Sequence, residues 1–205
     1  MKIGRPWCPS CGMPYAAAEA GADHICGACM LRPPLFAGAR SFGVYSGELR
    51  SVIQAFKFRG RKDLALLLAP LMAAAYGDSW GPGDFDLLIP VPLHRKRQRE
   101  RGYNQSGLLG HLLAGLVGIP CSERALTRVR HTPPQVGFSA DERAKNLRGA
   151  FRCRRPALVS RRRLLLVDDV MTTGATLTGA AAALLEAGAL RVSALTLART
   201  VTDRE

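Results

Sequence analysis

The segment spanning residues 163–177 constrains the fold of this chain more than any other part of the sequence. Its four apolar residues, 164–167, predict a strand that is buried on both faces, as strands of parallel sheets are. The strand ends on two adjacent carboxylates, Asp168 and Asp169. A short loop over residues 171–176 follows, with three threonines and one glycine, and a helical pattern begins after it. This succession is typical of one strand–helix unit in an α/β sheet.

The loop and the acid pair together predict a site for a ribose phosphate. Backbone N–H groups and hydroxyls at a helix N-terminus suit a phosphate group. Two carboxylates beside that phosphate would repel it, unless they accept hydrogen bonds from sugar hydroxyls, as acidic residues do in dinucleotide sites. An ordinary capped helix after a buried strand is the alternative. A cap explains one polar residue, but it does not explain two acids followed by Thr-Thr-Gly-Ala-Thr.

Four cysteines form two Cys-x-x-Cys pairs, Cys8 with Cys11 and Cys26 with Cys29. Two such pairs complete a tetrahedral sulfur shell for Zn²⁺. Because all four ligands are cysteine, no coordination position is left for water, and we predict a structural zinc site. Disulfides are disfavoured in the cytoplasm, and a thioredoxin-type redox site needs only one pair. An iron site of the rubredoxin type uses the same ligands and stays open as an alternative.

The length and charge of the chain limit the number of its domains and the kind of ligand that it can bind. A chain of 205 residues suits one domain with a small appendage, and we predict a zinc ribbon over residues 1–35 and a larger domain over residues 41–200. The formal charge of +13 suits a ligand with several phosphates or a nucleic acid, and composition does not choose between them. Neither a signal peptide nor a bilayer-spanning run is evident, so we expect a soluble cytoplasmic protein without membrane insertion.

From about Ser41 onward, strand and helix patterns alternate along the chain. This alternation predicts an α/β domain with a largely parallel central sheet flanked by helices. The predicted strands cover residues 42–45, 87–91, 164–167 and 192–198, and the predicted helices cover residues 49–58, 63–76, 106–116 and 177–186. The first of these helices, or a turn in its place, presents Lys57 and Arg59.

A basic loop is predicted over residues 92–105, directly after the strand at residues 87–91. Open α/β sheets bind their ligands at the carboxyl ends of the strands, so the position of this loop favours a functional role for the loop as a unit. A solvated run of charges is the simpler interpretation for Arg95, Lys96 and Arg99 taken singly.

A polar, proline-rich segment begins at residues 131–135 and continues through Arg143, Lys145, Asn146 and Arg148. Its lack of apolar periodicity predicts a loop. Such a loop could close over the site as a lid. A plain surface linker has nearly the same support from composition.

Residues 167–176 resemble the phosphoribosyl-pyrophosphate (PRPP) motif of type I phosphoribosyltransferases. The resemblance implies that Asp168 and Asp169 hold the ribose hydroxyls and are the catalytic carboxylates. It implies that the 5′-phosphate is wrapped by Thr172, Thr173, Gly174, Ala175 and Thr176. In that family the loop that matches the basic loop holds the pyrophosphate. The corresponding residues here are Leu93 and His94, with Arg97 and Arg101 as helpers.

The order of motifs along the whole chain resembles the ComF family, which includes ComFC-like and GntX-like proteins. The matching motifs are the two cysteine pairs, Phe56-Lys57-Phe58-Arg59-Gly60, residues 101–105, residues 132–135 with Arg143 and Asn146, and the PRPP motif. The resemblance implies a type I phosphoribosyltransferase-like fold with an N-terminal zinc ribbon that has four cysteine ligands. It implies that PRPP binds with Mg²⁺ and that phosphoribosyl passes to an unidentified acceptor.

The same resemblance implies a part in DNA uptake during natural transformation. Proteins of the uptake machinery and single-stranded DNA are then expected as partners beside PRPP. The alternative is a non-catalytic protein that binds PRPP, a nucleotide or single-stranded DNA. The low aromatic content of 6% counts against a dedicated single-strand binder, because such proteins stack bases on aromatic side chains.

Overall fold

A four-stranded parallel sheet lies at the centre of the chain in the computed structural model, which describes residues 1–15, 21–130 and 149–201. Its strands are β1 (Ala39–Val44), β2 (Leu87–Pro90), β5 (Arg163–Met171) and β6 (Arg191–Arg199), in the spatial order β1-β6-β5-β2. A small antiparallel sheet pairs β3 (Leu126–Arg128) with β4 (Phe151–Cys153). All central strands run in the same direction, so their carboxyl ends meet at one edge. The predicted parallel sheet is confirmed.

Helices cover both faces of this sheet. Those of the described residues are α1 (Gly27–Leu31), α2 (Gly47–Phe58), α3 (Leu64–Gly77), α4 (Arg95–Arg101), α5 (Gln105–Val117), α6 (Pro156–Val159) and α7 (Ala175–Glu186). Across the three described ranges, none of these helices combines the length and the apolar character that crossing a bilayer requires.

Strand β5 shows why both faces must be covered. Leu164 and Leu166 belong to one buried cluster, which also contains side chains of α7. Leu165 and Val167 belong to a second cluster, formed with α2, α3 and α5. Because successive side chains of a strand point to opposite faces, a continuous apolar run suits a strand covered on both sides. That is the pattern from which the strand was predicted.

The cysteine pairs lie on the same face of the sheet as α7. Cys8, Cys11 and Cys29 share one buried cluster with Leu164 and Leu166. The backbone N–H of Ala39, the first residue of β1, also donates to the Ser10 carbonyl at 2.9 Å. The predicted division into residues 1–35 and residues 41–200 stays a prediction, and buried contacts cross it.

Helix α4 lies inside the segment that was predicted as a basic loop, so the loop prediction was wrong there. The His94 side chain caps the helix by accepting a hydrogen bond from the Lys96 N–H at 3.3 Å. Gly102 ends it with a left-handed φ of 81°, which glycine adopts readily. The sequence of α4 contains no apolar residue, so it lacks the apolar periodicity that identifies a helix. The short strands β3 and β4 were also not predicted.

Candidate functional site

The acid pair lies near the carboxyl end of β5, beside the end of β2. Asp168 accepts a hydrogen bond from the Ser106 hydroxyl at 2.8 Å and another from the Asp169 backbone N–H at 2.9 Å. Asp169 is 3% exposed, and its Oδ2 atom has no hydrogen-bond partner among the described residues. An unpartnered buried carboxylate oxygen is costly. It is therefore suited to accept a hydroxyl or a metal ion from a ligand.

The environment of Asp168 raises its pKa, so that this carboxyl changes charge near neutral pH. Burial, the largest cause, raises the pKa of Asp168 to about 7, and the neighbouring Asp169 charge acts in the same direction. The Lys57 ammonium and the Ser106 hydrogen bond oppose this shift in pKa. A carboxyl that titrates near pH 7 can be neutral before an anion arrives and ionised once a cation is close.

Lys57, near the end of α2, is the partner of Asp169. Its Nζ lies 2.8 Å from Asp169 Oδ1, and the two side chains are only 17% and 4% exposed. Burial alone would lower the pKa of Lys57, but attraction to Asp169 outweighs it and the net shift is upward. The ammonium is therefore charged at neutral pH. The sequence predicted that a helix or a turn presents Lys57 and placed this residue within a family motif, but it did not identify Lys57 as part of the site.

The predicted phosphate loop connects β5 to α7. Gly174 is buried and has a φ of 78°, and α7 begins at the next residue. The Ala175 N–H donates to the Thr173 hydroxyl at 3.4 Å. The side chains of Thr172 and Thr173 are exposed, while those of Ala175 and Thr176 are half-buried. The loop thus presents hydroxyls at a helix N-terminus, where an anion is stabilised. Its role in binding phosphate stays a prediction.

The predicted pyrophosphate residues lie at the same edge of the sheet. Leu93 and His94 follow β2, and Arg97 and Arg101 lie on α4. Burial lowers the pKa of Arg101, and attraction to Asp169 opposes that shift. The guanidinium is thus within electrostatic reach of the acid pair. The structure brings both predicted sets of residues to one edge, and the pyrophosphate role stays a prediction.

Two contacts orient Arg101. Its guanidinium lies 5.2 Å from the centre of the Phe58 ring, at the end of α2. It also donates a hydrogen bond to the Gln105 side chain. Stacking and hydrogen bonding hold a guanidinium in a defined plane. Arg101 is therefore positioned by α2 and α5 as well as by its own helix.

The four paired cysteines converge on one point. Their sulfur atoms all lie within 4.8 Å of one another, and no other His, Cys, Asp or Glu cluster of this kind occurs in the described part of the chain. The Sγ atoms of Cys11 and Cys26 are 3.7 Å apart. Tetrahedral Zn²⁺ with its usual bond lengths to sulfur holds two thiolates about 3.8 Å apart. The cysteine cluster therefore fits a metal ion such as zinc.

Backbone hydrogen bonds favour the thiolate form of Cys8. Burial is the largest influence and would raise the pKa of Cys8, but hydrogen bonds from the backbone at Cys11, Cys26 and Ser10 lower it to about 7. The Cys26 N–H to Cys8 Sγ distance is 3.4 Å. The thiolate is the form that binds metal. The second cysteine pair thus supports a ligand of the first.

The segment predicted as a lid lies outside the described residues, including residues 131–135 and Arg143, Lys145, Asn146 and Arg148. Its flanks are β3 and β4, where Arg128 pairs with Phe151. Arg128 also pairs with His94 through an isolated bridge. The β3 flank is therefore next to the basic segment, and the lid stays a prediction.

A family model for the phosphoribosyl transferase domain matches residues 108–205 of the chain. The match starts within α5 and includes β5, the predicted phosphate loop, α7 and β6. Together with the parallel sheet and its two layers of helices, it confirms the predicted type I phosphoribosyltransferase-like fold.

Three relatives extend the similarity to nearly the whole chain. The DNA utilization protein YhgH of Salmonella typhimurium strain LT2 is 36% identical over 197 residues, which cover 95% of this chain and 84% of the relative. Competence protein F of Haemophilus influenzae is 36% identical over 202 residues, with coverage of 95% and 85%. Competence protein ComFC of Bacillus subtilis strain 168 is 30% identical over 203 residues, with coverage of 97% and 80%. The similarity therefore extends well beyond the phosphoribosyl transferase domain.

Proposed function

Because the chain belongs to the family of the DNA utilization protein YhgH and the competence proteins F and ComFC, we propose that it binds PRPP with Mg²⁺ and transfers phosphoribosyl to an acceptor. The observation that carries this proposal is a buried acid pair directly before a hydroxyl-rich loop at a helix N-terminus. One oxygen of Asp169 has no hydrogen-bond partner within residues 1–15, 21–130 and 149–201. The proposal assigns the protein to the cytoplasm and to DNA utilization or competence.

Asp168 and Asp169 would hold the ribose hydroxyls and Mg²⁺. Asp169 Oδ2, which no group in the described part of the chain contacts by a hydrogen bond, offers a buried acceptor for either. Mg²⁺ is commonly held by one or two carboxylates together with substrate phosphates. When bound, it neutralises charge on the pyrophosphate and so improves the leaving group. The Thr172 and Thr173 hydroxyls, exposed before the N-terminus of α7, would bind the 5′-phosphate.

Transfer breaks the bond between ribose C1 and a pyrophosphate oxygen, and the bonding electrons leave with the pyrophosphate. A lone pair of the acceptor forms the new bond to C1, and the acceptor releases its proton. Positive charge builds on the ribose ring during this exchange, and carboxylates beside the ring stabilise it. Arg97 and Arg101 would bind the departing pyrophosphate, because guanidinium groups match phosphate oxygens in charge and geometry.

Lys57 reduces the repulsion that the acid pair would otherwise exert on an anionic substrate. Its ammonium offsets the Asp169 charge at 2.8 Å. Asp168 adds little negative charge below its raised pKa of about 7. Arg101, held near the acid pair by its contact with Phe58, adds a further positive charge. The site therefore combines hydrogen-bond acceptors for ribose with a nearly balanced charge.

Binding of single-stranded DNA without catalysis is the second candidate function. The observation that favours it is helix α4, which carries five basic residues and buries none. A cluster of cations that is mostly open to solvent suits the phosphate backbone of nucleic acid. Such binding would weaken steeply as the salt concentration rises.

Calorimetric titration with PRPP and Mg²⁺ tests the proposed site. The double variant Asp168→Asn with Asp169→Asn is expected to bind PRPP about tenfold more weakly or worse, and to bind single-stranded DNA as before. Asp86→Asn is the matched control, because Asp86 pairs with Arg163 at the opposite end of β5. Unchanged PRPP affinity in the double variant contradicts the site assignment. Binding of PRPP without transfer to any tested base supports the non-catalytic alternative.

A further inference from the structure

Arg199 is a buried cation at the junction between the cysteine cluster and the central sheet. It is the last residue of β6, lies opposite Met171 of β5, and is 2% exposed. Its backbone carbonyl accepts a hydrogen bond from the Tyr45 N–H at 2.7 Å, and the next residue, Thr200, donates to the Met171 carbonyl at 3.0 Å. Hydrogen bonds to Tyr45 on one side and to Met171 of β5 on the other thus fix the backbone around Arg199.

The Arg199 side chain reaches the first cysteine pair. One guanidinium nitrogen, Nη1, donates a hydrogen bond to the Cys11 carbonyl. Its Nε is buried without a hydrogen-bond partner, and no carboxylate among the described residues forms an ion pair with it. A buried guanidinium requires a counter-charge. Four thiolates outweigh the charge of one Zn²⁺, so the loaded cysteine cluster supplies that counter-charge at the residue that Arg199 contacts.

Two buried side chains, those of Phe36 and Met171, pack against the predicted phosphate loop at Gly174. Phe36 is buried, and two of its ring atoms lie 3.6 and 3.7 Å from the position that a Cβ atom on Gly174 would occupy. The Met171 methyl carbon lies 3.2 Å from that position. Phe36, Met171 and Cys11 belong to one buried cluster. The backbone of the loop at Gly174 therefore lies against side chains that belong to the same buried cluster as Cys8, Cys11 and Cys29.

We propose that Arg199 is a positioning residue that couples the four-cysteine metal centre to the phosphate loop. Its charge stabilises the loaded centre, and its place beside Met171 ties that centre to the strand end that leads into the loop. Loss of the metal then leaves the Arg199 guanidinium without its counter-charge. The packing of Met171 and Phe36 against the loop at Gly174 becomes less tight as a result. The effect on PRPP rests on the proposed function, whereas the effect on metal retention does not. Residues 1–35 and 41–200 are, on this view, not independent in ligand binding.

The test compares Arg199→Met with Arg191→Met in the full chain loaded with zinc. Methionine keeps an unbranched apolar stem but removes the guanidinium, and Arg191 is the exposed arginine at the opposite end of β6. Zinc release to a chromogenic chelator is expected to be about tenfold faster in Arg199→Met, as for other outer-shell partners of metal ligands, and unchanged in Arg191→Met. Hydrogen exchange of residues 171–176 is expected to be faster in Arg199→Met and in the zinc-stripped unmodified protein.

PRPP titration completes the experiment, with an expected several-fold weaker affinity in Arg199→Met. Zinc release equal to that of Arg191→Met overturns the role of Arg199 at the metal centre. Faster zinc release with unchanged exchange at residues 171–176 overturns the coupling. Absence of PRPP binding in the unmodified protein counts against the proposed function alone, because zinc release and exchange still test the coupling.

A second variant covers the case in which Arg199→Met does not fold. Phe36→Leu keeps an apolar side chain but removes the ring that lies under Gly174. It is expected to retain zinc and to increase hydrogen exchange at residues 171–176. Unchanged exchange in this variant also overturns the proposed support of the loop.

Discussion

The Lys57 ammonium lies 2.8 Å from the Asp169 carboxylate, and both side chains are largely buried. The pair joins the end of α2 to the end of β5, two elements that are far apart in the sequence. A buried ion pair is costly to break, because the remaining charge loses its partner and cannot regain water. This pair therefore holds Asp169 in place at the edge of the candidate site.

Replacing Lys57 by methionine should destabilise the protein and weaken ligand binding together. Asp169 would be left as a buried carboxylate without its cation, and we expect a loss of about 3 kcal/mol in the free energy of unfolding. Urea denaturation measures this loss, and PRPP titration measures the accompanying drop in affinity. Lys62→Met is the control, because Lys62 is exposed and stacks on Tyr103 at 5.2 Å. We expect that control to lose no more than about 1 kcal/mol. Equal losses in both variants would count against a special role for Lys57.

Asp168 should make the protein less stable as the pH rises toward neutrality. Its pKa is raised from 3.8 to about 7 in the folded state, so the folded protein binds more protons than the unfolded chain between these values. Stability attributable to this group is then fully present at low pH and falls as the pH rises through that window. Asp168→Asn removes the titration while preserving the shape and an oxygen acceptor for Ser106.

The expected result is that Asp168→Asn gains stability relative to the unmodified protein as the pH rises from about 5 to 8, by a few kcal/mol. Chemical denaturation at several pH values provides the measurement. A difference between the two proteins that stays constant with pH would show that Asp168 is not held in its neutral form.

Gly174→Ala should weaken PRPP binding through the backbone. Gly174 has a φ of 78°, and a Cβ atom there would lie 3.2 Å from the Met171 methyl carbon. A left-handed conformation costs alanine about 1 kcal/mol. Gly188→Ala is the matched control at the other end of α7, with a φ of 89° and a similar contact at 3.2 Å to Ser160. We expect similar losses of stability in thermal unfolding, but weaker PRPP binding only for Gly174→Ala. Equal PRPP affinities in the two variants would separate Gly174 from the binding site.

Cys26→Ser should abolish tight metal binding. The Cys26 sulfur lies 3.7 Å from that of Cys11 and within the four-sulfur cluster. Removing one thiolate leaves three ligands and an open position, which lowers metal affinity strongly. Metal analysis after gel filtration should give about one zinc per chain for the unmodified protein and for Cys121→Ser, whose thiol lies outside the cluster. Iron in place of zinc would show itself by visible absorption, and equal metal content in both variants would remove Cys26 from the ligand set.

Short stretches of sequence predicted the strands and motifs whose residues are neighbours in the chain. Residues 164–167 identified β5 because a parallel strand buried on both faces requires a continuous apolar run. The two cysteine pairs predicted the four-cysteine cluster because each Cys-x-x-Cys brings two sulfur atoms close together. Helix α4 was missed because it contains no apolar residue and therefore carries no apolar period.

Contacts across the sheet were not predictable in the same way. Lys57 was evident as a lysine between two phenylalanines, but nothing in that motif identifies Asp169 as its partner. Likewise, Arg199 follows Leu197 and Ala198 at the end of β6, and its contact with Cys11 depends on which face of the sheet the cysteine cluster covers. Strand order and helix placement determine both contacts, and neither can be worked out from short-range periodicity.

The sequence by itself determined that an acid pair and a hydroxyl-rich loop follow a buried strand, and that four cysteines can share one metal. These features depend on residue type and spacing over a few positions, which local backbone geometry converts directly into structure. Only the tertiary structure decided that Lys57 pairs with Asp169, that Arg199 donates a hydrogen bond to the Cys11 carbonyl, and that the Phe36 ring lies next to Gly174. The physical reason is that charge pairing and burial depend on distance in space, and the parallel sheet brings the ends of distant strands to one edge.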